Sequence, residues 1–393
     1  MLDRPALANG RKSLLWRFWR SASGFWRGRS GQRAWLLAAL LVAMVLLQLI
    51  VQYRLNFWSR DFFNAIGQRD QNLVWREAAR FAPLAAISLS VAVASVWGRM
   101  TMEREWRRWL SHHLYDYWLQ DQRHLQLRFM PGDHQTPEYR IADDGRVATE
   151  LPIDLVLGLL SSVLTAGAFI GVLYATGGSL EVWPFGLHLV IPDYLVIAVL
   201  IYSLVFTLAT LLIGRRLTRV IEQNKAAEAV LRATGSRLRA AAEGASPLGY
   251  PGDRRAIDVA LDTVIARWQA LCWQLMRMTA VSHTKVLVAP SVGVLLCAPK
   301  YLSGAMSLGD MVQAAAAFVV VQGAFSWFSD NYGRLAEWSS SASRVASLLL
   351  SLDQAHGVAS PWLPADQWPD GWRRTERPLE SEVNAEHADH AQL

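Results

Sequence analysis

Charge is scarce in this 393-residue chain: 18% of residues are Asp, Glu, Lys or Arg, against 52% apolar. That balance is too apolar for an ordinary soluble chain, and it excludes disorder, collagen and coiled coil. Cysteine is scarcer still, with two in all, which excludes a disulfide framework. Lysine occurs only at 12, 225, 285 and 300, so the net charge of +6 rests almost wholly on arginine. None of these lysines follows a glycine, so there is no Gly-Lys-Ser/Thr loop to cradle phosphates, and no LSGGQ-like string. No histidine pair shares a helical face at metal-ligand spacing with cysteine or aspartate, so a zinc site is not expected. No cofactor, metal or catalytic reading has residues to rest on, and the chain is expected not to be an enzyme. A secretory leader is missing too: the first thirty residues are charged and aromatic, with no short apolar core before a small-residue cleavage site.

What the chain does have is tryptophan, 18 of them, and long apolar runs. Six stretches approach the roughly twenty residues that cross about 30 Å of hydrocarbon: 34–53, 81–98, 151–176, 194–214, 279–298 and 311–328. The fifth carries Lys285 near its start. An all-α membrane protein with six transmembrane helices is expected, and lipid is its first partner. Arginine distribution sets the orientation. Eight basic residues precede the first span, and the loops 99–150 and 215–278 are rich in arginine, whereas 177–193 has none. Arg54, Arg60, Arg69, Arg76 and Arg80 in the first loop break the pattern. The remaining loops place both termini in the cytoplasm of a bacterial inner membrane. Topology and anionic headgroups account for the arginines, so nucleic acid is not expected.

Three regions follow. Residues 1–32 form a tail in which "SLLWRFWRSASGFWR" at 13–27 interleaves rings with guanidiniums, as suits an interfacial helix. Residues 33–350 hold the spans, and 351–393 form a Pro- and Trp-bearing tail whose end is expected to be disordered. The two long inner loops are helical in pattern. In "MEREWRRWLSHHLYDYWLQ" aromatics recur every three or four residues. If the spans continue as helices, these loops become hairpins projecting from the membrane, the layout of an ABC-exporter-type transmembrane domain with helices extended into the cytoplasm.

Four strings sharpen that layout: "LNFWSRDFFNAIGQRD" at 55–70, "REWRRWLSHHLYDYWL" at 104–119, "EQNKAAEAVLRATGSRLRAAAEG" at 222–244, and "APKYLSGAMSLGDMVQAAAAFVVVQGAFSWFSDNYGRLAEW" at 298–338. Over roughly 30–350 the chain resembles the transmembrane domain of the YddA-like ABC permeases and, more distantly, the SbmA/BacA peptide transporters. The permeases continue into an ATP-binding domain, and the peroxisomal half-transporters they resemble do likewise. This sequence ends about forty residues after that resemblance does. The SbmA/BacA resemblance implies proton-coupled uptake of peptides or peptide-like compounds by a homodimer. The rivals are a permease subunit that pairs with a separately encoded ATPase, and a non-transporting membrane scaffold.

Proton coupling needs carboxyl groups that titrate near neutral pH, which burial near a span favours. The candidates are Glu150, Glu222, Glu228 and Glu337; the resemblance favours the first and the last two. Glu150 and Asp154 lie four apart, on one helical face at the start of the third span. Asp310 and Asp330 border the sixth span, and Asp61 and Asp310 read as caps or turn residues. The plainer reading of each acid is a solvated or arginine-paired carboxylate. His112, His113, His124 and His283 are further proton carriers in principle. Cys272 and Cys297 are separated by nearly 40 Å of helix, too far to bridge. For a dimer contact, "GAMSLGDMVQAAAAFVVVQGAF" at 304–325 offers small residues that let helices approach closely in lipid.

Overall fold

The computed structural model describes residues 14–28, 31–120, 123, 136–182, 189–243 and 250–355. The first thirteen residues, His124 and the tail after 355, including the end expected to be disordered, lie outside the described residues. Two short helices, α1 (residues 14–22) and α2 (Gly24–Arg27), lead into α3 (Gly31–Gln68) and α4 (Gln71–Leu119). Then come α5 (Pro137–Gly177), with a π-helical turn at Arg140–Asp144, and the strands β1 (Leu180–Val182) and β2 (Leu189–Ile191). The helices α6 (Tyr194–Glu243), α7 (Tyr250–Leu302) and α8 (Leu308–Ala355) complete the order. The six helices α3 to α8 are each long and apolar enough to cross a membrane.

Length is what distinguishes these helices. The 53 residues of α7 span about 80 Å at 1.5 Å per residue, more than twice the hydrocarbon thickness. The excess has to run on beyond the membrane, as the arginine-rich halves of α4, α6 and α7 do. There α6 and α7 lie along each other as a hairpin: Arg267 Nη1 donates to Gln223 Oε1 at 3.1 Å, and Gln274 Nε2 to the Ile213 carbonyl at 2.5 Å. Proline falls inside α4 at 83, inside α5 at 152, and inside α7 at 290 and 299. Each removes one backbone donor, which spanning helices tolerate because their neighbours restore the freed groups.

The turns are set by local chemistry. Asp70 caps α4, its Oδ1 accepting from the backbone N–H of Asn72 and Leu73 at 3.0 and 3.1 Å. Ser307 and Asp310 form a capping box at the start of α8, the Asp310 N–H donating to Ser307 Oγ at 3.1 Å. Gly304, at φ +78°, supplies the left-handed turn that leads into it. Asp61 behaves differently from the expected cap: it lies inside α3 and pairs with its neighbour Arg60 at 3.0 Å. The antiparallel pair of β1 and β2, with Glu181 opposite Val190, is a short hairpin within an all-α fold. Strands of three residues are too short to leave a period in the sequence.

The chain forms two compact units. The first takes the residues up to Gln48, Ser88–Ser161 and those from Asn331. Its core gathers Phe18 and Phe25 from the N-terminal helices, Trp106, Leu110 and Leu114 from α4, Ile141 and Ala148 from α5, and Val345, Leu348 and Leu352 from α8. Phe25 stacks on Trp106 at 6.3 Å, and Trp26 meets the same indole edge-on at 6.2 Å. His113 stacks on Trp109 at 5.1 Å in this unit. Burial holds its imidazole below the ordinary value of 6.5, with Asp116 opposing. A lowered folded-state pKa means the unfolded chain binds the proton more readily, so stability is lost as pH falls through about 6.5. Thermal unfolding between pH 8 and 5 should show a drop that His113→Gln makes shallower. Identical slopes for the two proteins would exclude this contribution.

The second unit takes Leu49–Ile87 and Ser162–Asp330. Phe169, Leu173, Leu195, Val199, Phe318 and Val321 form its core. Here α7 and α8 approach closely: a Cβ on Gly293 would come within 2.9 Å of the Ala315 Cα. Ala314, Ala315 and Ala317, small residues expected to serve a dimer contact, are buried within one chain. Both cysteines are free, Cys272 exposed and Cys297 buried.

Candidate functional site

The first unit concentrates charge where three helices leave their apolar stretches. Arg99, Glu103 and Arg107 follow the apolar run of α4 at four-residue spacing, and Arg146, Glu150 and Asp154 lead into that of α5 at the same spacing. Four residues is a little more than one helical turn, so each trio forms a ladder along one face. The two ladders interlock. Arg107 Nη1 lies 3.6 Å from Glu150 Oε1, and Arg99 Nη1 donates to Asp154 Oδ1. The other oxygen of Asp154 accepts from Arg334 Nη2 on α8. Asp154 therefore ties α4, α5 and α8 together through two guanidiniums.

Glu103 lies inside this cluster, its Oε1 3.9 Å from Arg99 Nε. Burial raises its carboxyl pKa above the ordinary value; Arg99 and Arg334 oppose the shift, and Glu150 and Asp154 add to it. A carboxyl held upward in this way exchanges its proton closer to neutrality than a solvated one. One layer further along, Asp144, buried in the π-helical turn of α5, accepts from Arg344 Nε at 2.8 Å and Nη2 at 2.5 Å. This bidentate pair raises the pKa of the already basic Arg344 further. It fixes α8 against the start of α5.

The four proton-coupling candidates are distributed unevenly. Glu150 belongs to the cluster, where Arg146 Nη1 donates to its Oε2 at 3.1 Å. Glu337 is exposed on α8, three residues beyond Arg334 and within electrostatic reach of Arg344. Glu222 and Glu228 are exposed on α6 in the second unit, Glu228 accepting from Asn224 Nδ2 at 3.1 Å. Glu103, Asp144, Arg334 and Arg344 escaped sequence reasoning. For Glu103 a signal existed, the four-residue ladder on α4 that matches the one on α5.

A cluster that holds three spanning helices by ionic contacts at one end of their apolar stretches can change their packing when a charge is added or neutralised. Comparison with known proteins gives that geometry its context. Residues 27–302 match the family described as ABC transporter transmembrane region 2. The chain belongs to that family. It is similar to the inner membrane ABC transporter ATP-binding protein YddA of Escherichia coli (strain K12), 26% identical over 342 residues, covering 82% of this chain and 58% of that protein. It is also similar to the chloroplastic ABC transporter D family member 2 of Arabidopsis thaliana, 23% identical over 348 residues, 87% of this chain and 46% of that protein. The chain spans about half the length of the curated relatives it matches. It is thus a multi-pass membrane protein of the transporter type, all-α, with an ABC-exporter-type transmembrane domain.

Proposed function

We propose that these residues are the membrane-spanning part of an ABC transporter, moving cargo when an ATP-binding domain outside them hydrolyses ATP. The observation that carries this reading is the family match over 27–302. Relatives named for ATP binding are about twice as long as the part they share with this chain, which supports it. The cluster around Asp154 is then the place where motion of the helix ends reaches the spans. The orientation that suits an ATP-driven partner puts the arginine-rich helix ends in the bacterial cytoplasm, as the loop charges suggest. Two copies would be needed to enclose a pathway.

Glu103 favours a second reading: proton-coupled uptake of peptides or peptide-like compounds by a homodimer. A half-buried carboxyl among arginines can load and release a proton, biasing one packing of α4, α5 and α8 against another. Glu150, Glu222, Glu228 and Glu337 remain coupling candidates under this reading. One experiment separates the two. The protein is reconstituted in liposomes with a cargo mixture of short labelled peptides, first alone with an imposed pH step, then with ATP and a candidate ATP-binding subunit. Uptake that requires the subunit and ATP, and ignores the pH step, supports the ABC reading. Uptake by the chain alone that follows the pH step, and disappears in Glu103→Gln and Glu150→Gln, overturns it in favour of proton coupling.

A further inference from the structure

We propose that Lys285 and Asp330 form a charge-reading site at one end of the spanning helices, presenting a carboxylate to a cationic ammonium or guanidinium group of an amphipathic cargo. The proposal rests on the transporter reading above and deepens it by naming the cargo's charge. Both residues belong to the second unit. Asp330 is 22 residues beyond Leu308, the first residue of α8, and Lys285 is 17 before Leu302, the last of α7. At 1.5 Å per residue those are about 33 and 26 Å, so both sit near the same edge of a roughly 30 Å hydrocarbon layer.

The two charges are not equally placed. Lys285 is buried, its side chain 9% exposed, with Nζ 3.5 Å from Asp330 Oδ1. The Tyr202 hydroxyl of α6 donates to the Lys285 carbonyl at 2.6 Å, fixing the backbone beneath it. The Asp330 side chain is 55% exposed. A lysine buried in a spanning helix needs a counter-charge, which Asp330 supplies. A carboxylate half open to its surroundings at the edge of that layer meets water or a cation rather than acyl chains. The exposed member of a pair determines what is recognised. With the ammonium withdrawn and the carboxylate presented, the site takes cations and rejects anions.

Room for such a ligand exists beside it. Gly323 lies seven residues before Asp330, nearly on the same face of α8. A Cβ built there would meet nothing within 4 Å. A ligand's apolar body can lie along this bare stretch of helix with its charged end at Asp330. A lipid-facing surface, or a contact with a second copy of the chain, would be the competing occupants.

The test uses Gly323→Cys in the full chain carrying Cys272→Ser and Cys297→Ala, in nanodiscs without ATP or any gradient. The probes are two methanethiosulfonate reagents, one bearing trimethylammonium and one bearing sulfonate. Both should react, reporting water beside Gly323. Asp330→Asn should lower the cation-to-anion rate ratio by about fourfold or more at low salt, since a unit charge two turns away acts oppositely on the two probes. Asp330→Glu should keep the ratio, and Lys285→Met should raise it. Labelling by a membrane-permeant maleimide alone would mean that Gly323 faces lipid. Disulfide cross-linking of the Gly323→Cys protein between copies would make this face an interface. Either result, or a ratio that ignores Asp330, overturns the proposal. Should Asp330→Asn fail to fold, the comparison of Lys285→Met with its parent decides. The readout needs no transport, so its failure is distinct from a failure of the ABC reading.

Discussion

Asp353→Asn should destabilise the first unit by about 3–5 kcal/mol, more than Arg17→Met does, and Arg17→Met with Asp353→Leu should cost less than either alone. Arg17 of α1 and Asp353 near the end of α8 form an ion pair with side chains 2% and 3% exposed. The Tyr117 hydroxyl of α4 donates to the same carboxylate. Around them lies a cavity of about 30 Å³, lined also by Ser21, His113 and Leu349, with room for about one water. Burial pulls the Arg17 guanidinium down from its ordinary value to about 10, with Tyr117 opposing. That is still well above neutral pH, so the folded protein carries a desolvated cation there. Removing Asp353 takes the carboxylate away from this buried cation, and arginine does not shed its proton at pH 7. Removing Arg17 leaves a carboxyl group that keeps the Tyr117 hydrogen bond and escapes its charge by taking up a proton, which limits the cost to about 2 kcal/mol. Replacing both by apolar groups removes the desolvation cost along with the attraction. Thermal unfolding of the three variants in one detergent gives the order directly. An Asp353→Asn protein as stable as the parent would mean that the pair contributes nothing.

The spans are legible because hydrocarbon imposes a demand the sequence must meet: about twenty apolar residues with every backbone group bonded inside the helix. Nothing comparable marks where a helix ends once it has left the membrane, so the sequence places α4 to Leu119 and α6 to Glu243 only as helical in pattern. At the candidate site, Glu150 and Asp154 stand out by their spacing at the head of a span. Their partners Arg99 and Arg107 read in the sequence as markers of topology, which is what loop arginines ordinarily are. Arg334 and Arg344 pair with residues 180 and 200 positions earlier in the chain, a relation that only packing reveals. Glu222 and Glu228 illustrate the converse. Both acids are plain in the sequence, and both are exposed on α6, with Glu228 accepting from a side chain one turn before it.

Gly309→Ala should destabilise the second unit by about 2–4 kcal/mol, whereas Gly171→Ala should be neutral or slightly stabilising. Both glycines are helical, and alanine is intrinsically the better helix former by about 1 kcal/mol, so propensity alone predicts a gain at each. Packing reverses the sign at one of them. Gly309, in the first turn of α8, donates its N–H to Asn64 Oδ1 of α3 at 2.8 Å. A Cβ at 309 would overlap the Arg60 carbonyl oxygen and come within 2.6 Å of Asn64 Oδ1. A carbonyl in the middle of a helix cannot rotate aside as a side chain would, so α8 must withdraw from α3 as a body. Withdrawal stretches the Gly309–Asn64 bond and, one turn further on, the bond from Asn56 Nδ2 to the Gln313 carbonyl, 3.2 Å long and buried. Overpacking of this kind costs about 1–3 kcal/mol, and each buried hydrogen bond lost adds about 1. Gly171 on α5 has nothing within 4 Å of where its Cβ would sit, so the same methyl meets no resistance there. Unfolding both variants in one lipid nanodisc preparation provides the comparison. Equal transition temperatures would show that α3 and α8 are not clamped at Gly309.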